Sequence, residues 1–150
     1  MADPSTADAI VSDVRAAGAD SRQLVFEISE ATVVASIAEA QQLATSLRTL
    51  GCRLAVDNFG AGLSSFAYLR HLSADLLKID ESFMWGIESD SVGQALVRSM
   101  IELGHGLGIC TVAKGIEHSS VRRMLTDLGV DLVQGFDIGR PGEQPVAAAL

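Results

Sequence analysis

The chain has 150 residues, 48% of them hydrophobic and 20% charged, which excludes a disordered segment and leaves enough apolar material for one sizeable core. Its formal net charge of −8 excludes general affinity for nucleic acid, because no basic stripe can displace counterions from phosphates; a small phosphate ligand held by local cations stays compatible. No apolar run approaches the ~20 residues that span a bilayer, and MADPSTADAIV lacks the basic start and apolar stretch of a signal peptide, so the chain reads as cytoplasmic with no membrane partner.

In chain order, residues 1–9, with Pro4 and Ser5, read as a flexible N-terminus, and residues 10–150 as one domain without a low-complexity linker. The first strand is LVFEI at 24–28, rich in β-formers. A helix follows to Gly51, with Val33, Ile37, Ala40, Ala44 and Leu47 on one apolar stripe. The second strand is RLAVD at 53–57, and a short helix holding Phe66, Tyr68 and Leu69 comes next, with Ser64 as its N-cap. LLKID at 76–80 is the third strand, after which Phe83 and Trp85 read as packing residues. A helix over 90–107, the strand ICTVA at 109–113, a helix over 118–128 and the strand DLVQG at 131–135 complete the chain. Strands separated by single crossover helices define parallel βα units. Cys52 and Cys110 lie at apolar runs and read as small buried hydrophobes, not as a disulfide or a zinc site.

The unusual residues fall at the C-terminal ends of these strands: Glu27 and Glu30, Asp57 and Asn58, Lys78 and Asp80, Lys114 and Glu117, and Gln134. In parallel β/α folds that edge holds the ligands and the chemistry. Any one of these residues alone would be a cap or a surface ion pair; polar ends on successive strands point to one shared rim. Carboxylates with a neutral amide oxygen suit Mg²⁺ or Mn²⁺. A lysine beside such ions can hold a phosphate oxygen, and two ions can clamp a phosphodiester displacement. His71, His105 and His118 lie in or beside helical segments, so a Ser-His-Asp arrangement has no support.

Four segments, LVFEISEAT, LGCRLAVDNFGAGLSSFAYLRHLSADLLKIDESF, TVAKGIE and LVQGFDIGRP, resemble in order and spacing the C-terminal part of the EAL domain family, the cyclic-di-GMP phosphodiesterases. The resemblance covers about residues 10–145. It implies a partial TIM-like (β/α) barrel of about five parallel strands with crossover helices, lacking the N-terminal strands. It also implies a two-metal site, using Mg²⁺ or Mn²⁺, that opens cyclic di-GMP to linear pGpG. By motif, Glu27 resembles a metal-ligand glutamate, and Glu30 the glutamate that supports the loop after the next strand. Asp57 matches the metal-bridging first aspartate of DDFG. Lys78 matches the lysine of KID that contacts the catalytic water, and Asp80 the aspartate that orders the site. Glu117 matches the last glutamate of AEGVE, and Gln134 the glutamine of QG. Phe59, Gly60, Gly62 and Ser64 fall in the loop that links metal binding to dimerisation in the family, although Gly60 and Gly62 also suit plain turn geometry. Arg140, before Pro141, fits either a contact to ligand phosphate or a surface turn.

The departures are as informative as the matches. The Glu-Ala-Leu segment and the asparagine ligand after it have no counterpart in this sequence. DDFG has become DNFG at Asn58, and AEGVE has become AKGIE at Lys114, where the family places an essential glutamate. A unit charge about 6 Å from a divalent cation, at an effective dielectric of about 20, costs on the order of 5 kcal/mol. The leading expectation is a regulatory module in cyclic-di-GMP signalling with impaired catalysis, binding the dinucleotide weakly and covering its barrel edges by homodimerising or docking on another chain. The alternatives are a phosphodiesterase completed by another chain, and a structural interaction module or inactive fragment.

Overall fold

A computed structural model of the chain describes residues 4–18, 20–62 and 66–140. The chain packs as two compact units, Met1–Leu77 and Lys78–Leu150, and the third strand is the passage from one to the other. Five parallel strands, β1 (Val25–Ser29), β2 (Arg53–Phe59), β3 (Leu76–Ile79), β4 (Cys110–Ala113) and β5 (Leu132–Val133), follow one another in the sheet in that order, the order of a βα series in which each strand is laid down beside the last.

The first unit opens with helix α1 (Pro4–Ala17), where the sequence reading expects a loose terminus. Proline at the first helical position costs no hydrogen bond, and the alanine-rich stretch behind it favours the helix. Strand β1 (Val25–Ser29) leads directly into α2 (Glu30–Ala35), with Ser29 as N-cap accepting from Thr32 N at 3.2 Å. The expected single helix is split: Ser36, at φ −152°, ends α2 and starts α3 (Ile37–Thr49). The β-branched run Thr32-Val33-Val34 makes α2 a weak helix, and Ser36 N–H still bonds Thr32 O. Val33, Ala40, Ala44 and Leu47 of the expected stripe are buried, α3 lying on β2 (Arg53–Phe59). Leu54, Ala55, Val56 and Phe59 of β2 are all buried, as in a parallel strand covered on both faces. β1 is more open, with Val25 37% exposed.

The second unit continues from β3 (Leu76–Ile79), all four residues of which are buried. Two 3₁₀ turns (Glu81–Met84 and Ile87–Ser89) lead to α4 (Ser91–Gly106), whose N-cap is Asp90. Strand β4 (Cys110–Ala113), α5 (Ser119–Leu128) and β5 (Leu132–Val133) complete it, with Ile87, Val97, Ile101, Ile116 and Leu125 in the core. β5 is shorter than DLVQG because the chain leaves the ladder at Gln134, for a reason that belongs to the site.

The strands are pinned in register at their N-terminal ends by one device used twice. Asp75, just before β3, accepts from Leu54 N at 2.8 Å, and Asp131, just before β5, accepts from Thr111 N at 2.7 Å. Each carboxylate thus satisfies the backbone of the second residue of the preceding strand.

Candidate functional site

In the first unit, the register Glu27↔Ala55 and Ser29↔Asp57 puts Glu27 and Asp57 on one face of the sheet, one pleat apart. Glu27 is exposed and Asp57 half-buried. Asn58 turns away from that ladder: it is exposed and has φ 55°, the one positive φ outside glycine among the described residues. Asparagine and aspartate tolerate this left-handed conformation better than other side chains, so Asn58 keeps the turn while surrendering a carboxylate.

Glu30 is 3% exposed at the start of α2. Its carboxylate accepts from Gly60 N at 2.9 Å and from the Tyr68 hydroxyl at 3.2 Å, and so ties α2 to the DNFG turn. Burial, then the charge and hydrogen bond of Glu30, push the Tyr68 hydroxyl far above its ordinary range, which keeps it a neutral donor. Phe59 is fully buried with its ring 4.7 Å from that of Phe66. A pocket of about 750 Å³ opens beside this turn, lined by Glu30, Ala31, Val34, Asn58, Ala61 and Gly62. Ser64 lies outside the described residues.

In the second unit, Lys78 is the penultimate residue of β3 and is 7% exposed. Asp80 caps the following 3₁₀ turn, accepting from Ser82 N at 3.0 Å. The segment after β4 is sewn to the segment after β5 by backbone bonds: Gln134 N donates to Ala113 O at 2.8 Å, Ile116 N to Gln134 O at 3.1 Å and Asp137 N to Ile116 O at 3.0 Å. Gly135 permits this approach, since a Cβ there would lie 2.2 Å from Ile116 N and O, and this crossing is what ends β5. The seam presents Lys114, half-buried, with exposed Glu117 and Gln134 around a pocket of about 210 Å³ shared with Glu81 and Phe136. Arg140 sits 5.5 Å over the Phe136 ring. Trp85, expected to pack, is 74% exposed.

The structure therefore gathers Glu30 with the DNFG turn in one unit, and Lys114, Glu117 and Gln134 in the other. Tyr68, Gly135 and the Arg122–Asp137 pair escaped the sequence reading. In that pair Arg122 Nε lies 3.2 Å from the buried Asp137 Oδ2, which accepts no well-aligned hydrogen bond. The repeated Asp-Leu at Asp75-Leu76 and Asp131-Leu132 was the available signal for the strand pins. Among the described residues no helix is long and apolar enough to cross a membrane.

Comparison with known proteins gives one consistent answer. Residues 1–141 match the family described as the EAL domain. Cyclic di-GMP phosphodiesterase PdeF of Escherichia coli K12 is 38% identical over 128 residues, covering 85% of this chain and 17% of that protein. The FimX EAL domain from Pseudomonas aeruginosa bound to c-di-GMP superposes with a TM-score of 0.87 at 30% identity, over 95% of this chain and 58% of that one. Klebsiella pneumoniae BlrP1 in its manganese and cyclic di-GMP complex gives 0.83 at 31%, over 93% of this chain and 35% of that one. The chain spans about 17% of the length of the curated relatives it matches.

Proposed function

The chain belongs to the EAL domain family, and from that premise we propose that it binds cyclic di-GMP as a regulatory module and does not hydrolyse it efficiently. The observation that carries this reading is Lys114. It stands where the family pattern has a glutamate, and it lines the pocket at the seam of β4 and β5 with Gln134 and Phe136. A cation there attracts a phosphate and repels a divalent ion. Lys78 adds a second cation near the end of β3, with Asp80, Glu117 and Arg140 as further candidates for ligand contact.

The relative BlrP1 is complexed with manganese, so the fit of Mg²⁺ or Mn²⁺ to this chain decides the enzymatic question. Glu27 and Asp57 offer hard oxygens from one face, but Asn58 contributes only a neutral amide. Among the described residues no group of three or more His, Cys, Asp or Glu is arranged to hold a metal ion. This donor set does not fit a pair of divalent cations. The test is product analysis: cyclic di-GMP incubated with the chain and Mn²⁺ should yield no pGpG above a protein-free control, and steady turnover would overturn the reading.

One observation favours a second reading, an active phosphodiesterase completed by another chain: Glu27 and Asp57 remain on a common face. Its mark would be pGpG formation that Glu27→Ala and Asp57→Ala abolish. The open face of β1, where Val25 is 37% exposed, is where we place a second copy or another protein chain. Light scattering then reads a mass above that of one chain.

A further inference from the structure

Trp85 is the chain's only tryptophan and is 74% exposed. Its outward position follows from the local backbone. Met84 and Ile87, three residues apart across the two 3₁₀ turns, are buried at 5% and 1%. Trp85 lies between them in extended conformation, and Gly86, at φ 67°, turns the chain back, so the indole is left on the solvent side. Glu88, at the middle of the second 3₁₀ turn, lines the same pocket as Trp85.

The indole forms one wall of a pocket of about 440 Å³ whose other walls include Glu81, Glu88, Glu117, His118 and Val121. Glu81 and Glu117 line this pocket and the Lys114 seam alike, but here Glu88 joins them and no lysine or arginine is among the lining residues. Three carboxylates with no lysine or arginine beside them disfavour a phosphate and favour a cation. An indole face adds attraction for a cation, strongest for a planar guanidinium that stacks on the ring and forks to a carboxylate. A strongly acidic chain, at net −8, also draws a basic partner toward it before contact.

We infer that the Trp85 pocket receives an arginine side chain from a basic segment of a partner protein. The charge complementarity and the exposed indole select this occupant over an anionic ligand and over a second copy of this acidic chain.

The sole tryptophan makes the test direct. The full chain is titrated at low salt with a capped Gly-Arg-Gly-Arg-Gly peptide, with tryptophan emission followed, and then with the same peptide carrying neutral citrulline for arginine. The arginine peptide should give a saturable emission change, with at least tenfold weaker binding of the citrulline peptide. Glu81→Gln with Glu88→Gln should weaken the arginine peptide at least fivefold. Trp85→Ala, followed by calorimetry, should weaken it by a similar factor while far-ultraviolet circular dichroism stays unchanged. Equal binding of the two peptides, no emission change, or affinity unaltered in either folded variant would overturn the inference.

Discussion

Replacing Gly135 by alanine should damage the seam that frames the Lys114 pocket. The new Cβ would lie 2.2 Å from both the nitrogen and the oxygen of Ile116, against a floor of 3.0 Å for real contacts, so the two segments must part by about 0.8 Å. Those two atoms carry the bonds to Gln134 O and Asp137 N, at 3.1 and 3.0 Å. A separation of that size breaks both, at about 1 kcal/mol each, and residual overpacking adds at least about 1 kcal/mol. A loss of about 3 kcal/mol corresponds to a fall in Tm of roughly 6–12 °C for a chain of this length. Thermal unfolding by circular dichroism measures it. Gly139→Ala is the internal control, since nothing lies within 4 Å of its added Cβ. If Gly135→Ala unfolds within about 2 °C of Gly139→Ala, the reasoning from backbone approach is refuted.

Glu30→Ala leaves Gly60 N and the Tyr68 hydroxyl without their acceptor, which should cost about 2 kcal/mol and lower Tm by roughly 4–8 °C; an unchanged Tm would deny Glu30 its structural role. Burial raises the Asp131 carboxyl, but hydrogen bonds from Thr111 and His105 outweigh it and hold the group below its ordinary 3.8. A depressed native value means that the unfolded chain takes the proton first, so this stabilisation is complete above about pH 4 and is lost as pH falls through the native value. Asp131→Asn should therefore flatten the acid side of a urea-denaturation series, whereas an identical acid slope would contradict the linkage. Lys114→Glu restores the family residue and reverses the charge, and should tighten Mn²⁺ binding at least tenfold by calorimetry; no gain would show that other missing donors dominate.

Much of the fold was legible because parallel βα units advertise themselves. RLAVD at 53–57 and LLKID at 76–80 read as strands and the structure has them at Arg53–Phe59 and Leu76–Ile79, while the helix read over 90–107 from its period runs Ser91–Gly106. Helix α1 was hidden because its proline and polar start look like a loose end, and propensity shows only when proline is placed at the first helical position. The break at Ser36 was hidden because the apolar stripe runs through it: Val33 and Ala40 are both buried, on either side of a one-residue helix break that periodicity does not see. At the site, residue types suggested a shared rim, but not how each residue on it is held. Glu30 reaches Gly60 across 30 residues and Gly135 crosses Ile116 by backbone contact alone, so neither leaves a local pattern. Asn58 is the reverse case: the sequence showed a lost charge, and the backbone shows that the same asparagine suits its left-handed turn.

In the proposed function Lys114 helps hold a cyclic dinucleotide's phosphates without a metal. Calorimetric titration of the full chain with cyclic di-GMP in excess chelator tests it most directly, with Lys114→Ala alongside. Saturable binding by the wild-type chain under chelation is expected, with at least tenfold weaker binding by the variant. No heat from the wild-type chain at high ligand concentration, or binding that returns only when Mn²⁺ is added, would contradict it.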